Sequence, residues 1–216
     1  MAVQNTLPDP NNRISTDGDD ASGSYGPGFS SVQLTSEAPI VTNRSNSGLV
    51  FRTRNRYHKW DINIKYNDLT KAEFNVVYPF LLERQATLES FFVELPQYGN
   101  SDAGDKNIGA SAAAGETELT LSSVTDINVG DLFYVDDPND DTHVKAYKVT
   151  KVDSTNTKVH ISPAIQKKID YLLSGTEKAK FGTPRLRVVV DGASINYTIK
   201  SNGLYSFSVK LEESLT

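Results

Sequence analysis

The densest group of chemically capable side chains in this 216-residue chain is acidic: Asp136, Asp137, Asp140 and Asp141, with Asn139 among them. Asp137-x-Asn139-x-Asp141 has the spacing of the first ligands of a calcium loop. Thr142 stands where the sharp turn needs glycine, however, and Lys148 where the loop needs a bidentate carboxylate, so the group reads as a solvated hairpin tip. The only histidines are His58, His143 and His160, no two of them three or four residues apart, and cysteine is absent. Neither a zinc ligand set nor a disulfide nor a thiolate nucleophile can be drawn from that inventory. No Gly-x-Ser-x-Gly elbow presents a serine nucleophile. Glu83, Glu89 and Glu94 could in principle supply a carboxylate pair for glycoside cleavage, but they fall on polar positions of a helix end and a strand. Gly23, Gly26 and Gly28 neither follow a strand nor open a helix, which is what a phosphate cradle requires. The expectation is a chain without catalytic residues, cofactor or metal.

Arg52, Arg54 and Arg56 stand out differently. Alternation along a strand places all three guanidinium groups on one face, with Lys59 close behind, and like charges at that spacing repel. Three readings fit: a solvated or ion-paired strand face, a contact with acidic residues of a neighbouring subunit, or a surface facing DNA in a channel. The formal charge of -5 lacks the basic footprint of a general nucleic-acid binder. No run approaches a membrane span, and the first residues have neither the basic start nor the apolar stretch of a signal peptide, so a soluble, unsecreted chain is expected.

The elements that must position these residues are clearest from Arg56 to Pro96. Trp60, Ile62, Ile64 and Tyr66 alternate with Asp61, Asn63 and Lys65, the period of a strand with one buried face. Asn67-Asp68 breaks it. Thr70 and Glu73 have capping-box spacing, and Phe74, Val77, Tyr78, Leu81 and Leu82 follow on one helical stripe. Pro79 removes a hydrogen bond within that helix and should kink or shorten it. Phe91, Val93 and Leu95 then line one side of a strand that Pro96 ends, with Phe92 on the other side.

This stretch resembles the N-terminal domain of tailed-bacteriophage distal tail proteins. The resemblance lies in the aromatic strand WDINIKY, in Leu69-Thr70-Lys71-Ala72-Glu73-Phe74, in Phe80-Leu81-Leu82-Glu83 and in Glu89-Ser90-Phe91-Phe92. It covers about a third of the chain. It implies a structural virion protein that forms a homo-oligomeric ring, a hexamer, at the distal end of the tail tube and joins it to the tail tip or baseplate. Tube, hub and baseplate proteins would be its partners, assembly would occur in the host cytoplasm, and neither a membrane nor a specific nucleic acid is implied. The alternatives are another tube or baseplate component, or a carbohydrate- or protein-binding module of the tail.

Along the rest of the chain, residues 1–30 carry too few apolar side chains to offset ordering and predict a flexible arm. Residues 97–115 read as a small-residue linker. Strands are expected at 116–122, 132–135, 144–149 and 159–162, and Ile165, Ile169, Leu172 and Leu173 recur at helical spacing before Gly175. Asp191-Gly192 and Asn202-Gly203 predict a three-stranded meander over 185–212, whose last strand buries Phe207 and Val209. That sheet needs an opposing layer, for which the 51–96 block is the economical choice. The expected fold is therefore mainly β with one main helix. A β-sandwich formed by 31–97 and 183–216 packs that helix and is interrupted by a small β-domain at 98–182, for which an OB-like barrel, another small barrel and a sandwich are all open. The predicted core is Trp60, Ile62, Ile64, Phe74, Val77, Leu81, Phe91, Val93, Phe207 and Val209.

Overall fold

The computed structural model describes residues 5–8, 29–54, 58–136, 145–169, 177–192 and 194–214. In chain order its first strands are β1 (Phe29–Glu37), β2 (Ile40–Arg44), β3 (Val50–Arg54) and β4 (Lys59–Tyr66), followed by the helix α1 (Lys71–Thr87) and β5 (Phe91–Glu94). Then come β6 (Asp105–Asn107), β7 (Glu118–Thr120), β8 (Leu132–Asp136), β9 (Ala146–Asp153), β10 (Lys158–Ser162) and β11 (Lys178–Lys180). The chain closes with β12 (Arg185–Val190), β13 (Tyr197–Ile199) and β14 (Tyr205–Glu213). The protein is mainly β, and its sheets are antiparallel.

One sheet has the order β1-β4-β14-β12-β5, with β13 beside β14. Trp60, Ile62, Ile64 and Tyr66 of β4 all point to its buried face, and Asn63 and Lys65 point to water. The helix α1 covers that face. Thr70 accepts from the Glu73 amide while the Glu73 carboxylate accepts from the Thr70 amide at 2.7 Å, so the two satisfy donors that the first turn leaves free. Phe74, Val77 and Leu81 meet Phe91, Val93, Leu186, Val188, Phe207, Val209 and Leu211 in one core. The helix runs unshortened through Pro79. Leu82, placed on the apolar stripe by its spacing, is exposed; Arg84 is buried instead, its guanidinium over the Phe80 ring and paired with Glu89.

Two sequence expectations change here. The strands at 185–212 do not form a meander, because β12 and β13 both pair with β14, along successive parts of its length. Gly192 uses its positive φ of 98° to break one long strand rather than to reverse it, and Ile195 tucks into the core within the break. Nor do the C-terminal strands stack on the 51–96 block as an opposing layer: β14 hydrogen-bonds directly between β4 and β12. The covering layer is α1.

The other sheet has the order β6-β11-β8-β9-β10-β7. Its edges meet, since the Gly109 amide donates to the Thr120 carbonyl at 2.8 Å and the Ser122 amide to the Asn107 carbonyl at 2.8 Å. The sheet therefore curls around its own core of Phe133, Tyr147, Val149, Val159 and Phe181. The 97–115 segment is not a linker: it supplies β6, and Ala103, Ile108 and Ala112 are buried. Its small side chains let it lie close against the barrel. Ile165 and Ile169 are buried too, but not in a helix; Ile165 donates to the Glu116 carbonyl and Ile169 exchanges both bonds with Ala112. Four-residue spacing suits an irregular extended segment that dips twice into a core as well as it suits a helix turn. Leu172, Leu173 and Gly175 lie outside the described residues.

Candidate assembly surface

β1 and β4 pair from Phe29–Tyr66 to Glu37–Lys59, and the chain between them continues as the β2–β3 ribbon, paired from Ile40–Arg54 to Arg44–Val50. The ribbon belongs to neither large sheet. All five residues of β2 are exposed, Ile40 at 56% and Val41 at 53% among them, as are Leu49 at 63% and Phe51 at 59%. With Val50, this 15-residue arm holds five of the eleven exposed large apolar side chains among the described residues. A two-stranded ribbon alone is marginally stable in water, and clustered exposed apolar side chains mark a surface that another molecule covers.

Charge sharpens the picture. Residues 40–54 include Arg44, Arg52 and Arg54 and no acidic residue, which leaves -8 on the remainder of a chain whose total is -5. Arg52 is exposed opposite Thr42; the Arg54 side chain and Arg56 lie outside the described residues. Lys59 does not extend this basic strip. It sits at the arm's base, bound to Glu212 at 2.8 Å, Glu37 at 3.0 Å and Asp61 at 3.5 Å. The hydrogen bond it donates to Glu212, then the charges of those carboxylates, hold its ammonium well above the usual lysine range despite partial burial.

The opposite end of the first sheet is capped from within. The Phe92 amide donates to the Asn5 carbonyl at 2.7 Å and the Leu7 amide to the Phe92 carbonyl at 2.8 Å, so residues 5–8 lie along the outer edge of β5. Leu7 is buried in the core of that sheet. A lone leucine among polar residues and prolines gave too little pattern to show this. The β1 edge, by contrast, has β4 on one side and no described strand on the other.

The residues considered for chemistry are dispersed. His58 bonds Ser36 at 2.9 Å and packs its ring on Trp60, whereas His160 approaches Glu118 at 3.6 Å; His143 and Asp137 to Asp141 lie outside the described residues. Asp136 is held by Lys180 at 2.9 Å and Arg185 at 3.4 Å. Glu89 pairs with Arg84, while Glu83 lies on α1 and Glu94 on β5. Among the described residues no group of three or more metal-ligating side chains converges. A polar hollow of about 440 Å³ beside Glu116, Glu118 and Lys158 lies on the barrel surface. Of the barrel's described aromatic residues, Phe133, Tyr147 and Phe181 fill its core, and Tyr134 is buried outside that core with the Arg185 guanidinium over its ring, so these four offer no flat face to a sugar; Tyr171 lies outside the described residues. Burial pushes the Tyr147 hydroxyl well above its usual range.

Residues 7–98 match the family model described as distal tail protein pb9, A domain, N-terminal. Over 198 residues the chain is 30% identical to the distal tail protein pb9 of Escherichia phage T5, an alignment covering 88% of this chain and 94% of that protein. The chain belongs to the pb9 family of distal tail proteins. It is a structural protein of a phage tail, and its place is in the virion. The family match begins at the buried Leu7 and ends after β5, so it takes in the whole β2–β3 arm and the capped helix. The more general resemblance read from Trp60 to Phe92 pointed to the same kind of protein through folding residues, and the arm was absent from it.

Proposed function

We propose that the protein forms a closed ring, a hexamer, at the distal end of the tail tube and connects the tube to the tail tip or baseplate, with no catalytic role. The observation that carries this reading is the β2–β3 arm. It is apolar and basic, its apolar side chains are exposed among the described residues, and it stands on an acidic body, so a second copy offers both an apolar partner and the opposite charge. Contacts in which the arm of each copy rests on a different surface of the next are heterologous, and they close into a ring when the rotation allows. Tube, hub and baseplate proteins are the further partners this position requires, with assembly in the host cytoplasm.

The subunit is proposed to consist of a discontinuous unit (31–97 and 183–216) built on the sheet that α1 covers and an inserted unit (98–182); the flexible arm expected over residues 1–30 fails at residues 5–8, which pair with Phe92 and bury Leu7 in that sheet's core. The two large sheets draw their strands from these two stretches without exchange. Image averaging of intact particles tests the ring: a closed ring at the tube end is expected, and density for this chain as a peripheral fibre or single copy would refute it. Cross-links from introduced lysines on the arm should map to a neighbouring copy.

A further inference from the structure

The two crossings between the sheets are paired rather than loose. The Leu95 amide donates to the Pro184 carbonyl and the Asn100 amide to the Phe181 carbonyl, each at 2.8 Å. Between these bonds Gly99 passes so close to Gly182 that a Cβ on Gly99 would stand 1.8 Å from the Gly182 carbonyl oxygen. A second tie lies at the ends of β14 and β9. There the buried Lys145 ammonium pairs with the buried Glu213 carboxylate and donates to the His58 carbonyl at 2.9 Å. Glu213 also accepts from the Trp60 amide at 3.1 Å and from the Ala146 amide at 3.4 Å, and the Trp60 indole donates to the Ala146 carbonyl at 2.9 Å. A third tie is Arg185 of β12, whose guanidinium lies over both Phe92 at 4.7 Å and Tyr134 at 4.8 Å and reaches Asp136.

We propose that these ties lock the inserted unit to the discontinuous unit at one fixed orientation, with the Lys145–Glu213 pair as the specifying contact, so that the two move as one rigid body. This rests on the two-unit division proposed above. Two covalent crossings alone leave a hinge, whereas a buried ion pair that also accepts two backbone amides is satisfied in only one docking geometry. A polar contact of this kind selects an arrangement more than it adds stability.

The absence of cysteine makes the test direct. Spin labels are placed across the units at Ser208→Cys and Lys151→Cys, and within the inserted unit at Asn107→Cys and Lys151→Cys. The otherwise native chain should give a narrow distance distribution for both pairs. Lys145→Met with Glu213→Leu, which removes the pair and keeps the volume, should broaden the cross-unit distribution about twofold or more and leave the internal one unchanged. Gly99→Ala, which forces the crossings apart and leaves the pair in place, should also broaden the cross-unit distribution. A cross-unit width unchanged in both variants overturns the lock. Broadening of the internal pair as well shows that the units do not fold separately, and the division falls together with the lock.

Discussion

At Glu213 and Lys145, burial acts on two opposite charges at once. It pushes the Glu213 carboxyl above the usual carboxylate range and the Lys145 ammonium below the usual lysine range, and each partner opposes the shift in the other. Both directions mean that folding disfavours each charge, so the pair is not a large net source of stability. Glu213→Leu alone strands a buried ammonium and should cost about 3–5 kcal/mol in urea unfolding, while Lys145→Met with Glu213→Leu should recover the part due to the stranded charge and keep the part due to the Trp60 and Ala146 amides, which lose their acceptor. Lys59 behaves in the opposite sense. Its raised ammonium faces Glu37, Asp61 and Glu212, so its contribution is complete below the ordinary lysine value of 10.5 and is lost as pH rises above that through the folded-state value. Lys59→Met should cost about 1 kcal/mol at neutral pH, and the difference from the native protein should close on strongly alkaline titration. Neither network was legible in the sequence, because ion pairs between residues 68 and 153 positions apart leave no local pattern.

Patterns confined to one element were read well, and patterns that required a partner were not. The Thr70–Glu73 capping box and the alternation of β4 are local statements about backbone donors and about the two faces of a strand. Asp191-Gly192 was misread because a positive φ permits both a reversal and a break, and only the pairing of β12 and β13 on β14 distinguishes them. Leu7 is the sharper case: its environment is made by Phe92, far away in the chain. Two substitutions separate the two kinds of contribution in thermal or urea unfolding. Thr70→Ala loses one cap and should cost about 1 kcal/mol, whereas Leu7→Ala opens a cavity under the sheet edge and should cost about 2–5 kcal/mol. A loss below about 0.5 kcal/mol at Leu7 would show that the N-terminal residues contribute nothing to the subunit core.

For the whole molecule, the informative contrast is between its two sheet ends. The β5 edge is closed by residues 5–8 of the same chain, which removes a template for pairing with other chains. At the other end the β2–β3 arm is left with apolar side chains in water and a charge opposite to that of the body. An arm whose apolar side chains are exposed among the described residues contributes little to folding, so its substitution should separate assembly from stability. Phe51→Asp with Arg44→Glu and Arg52→Glu removes the largest exposed apolar side chain of the arm and turns basic positions acidic. The unfolding midpoint should move by no more than about 0.5 kcal/mol equivalent, the usual range for exposed positions. Incorporation into tails, read by quantifying this chain in purified particles, should fall steeply. Raising salt should weaken residual association of the native protein, because exposed charge pairs are screened within about 10 Å at 0.1 M, while leaving the variant unaffected. Normal incorporation of the variant would place the ring contact elsewhere on the subunit, and a variant that unfolds would mean that the arm packs on its own body.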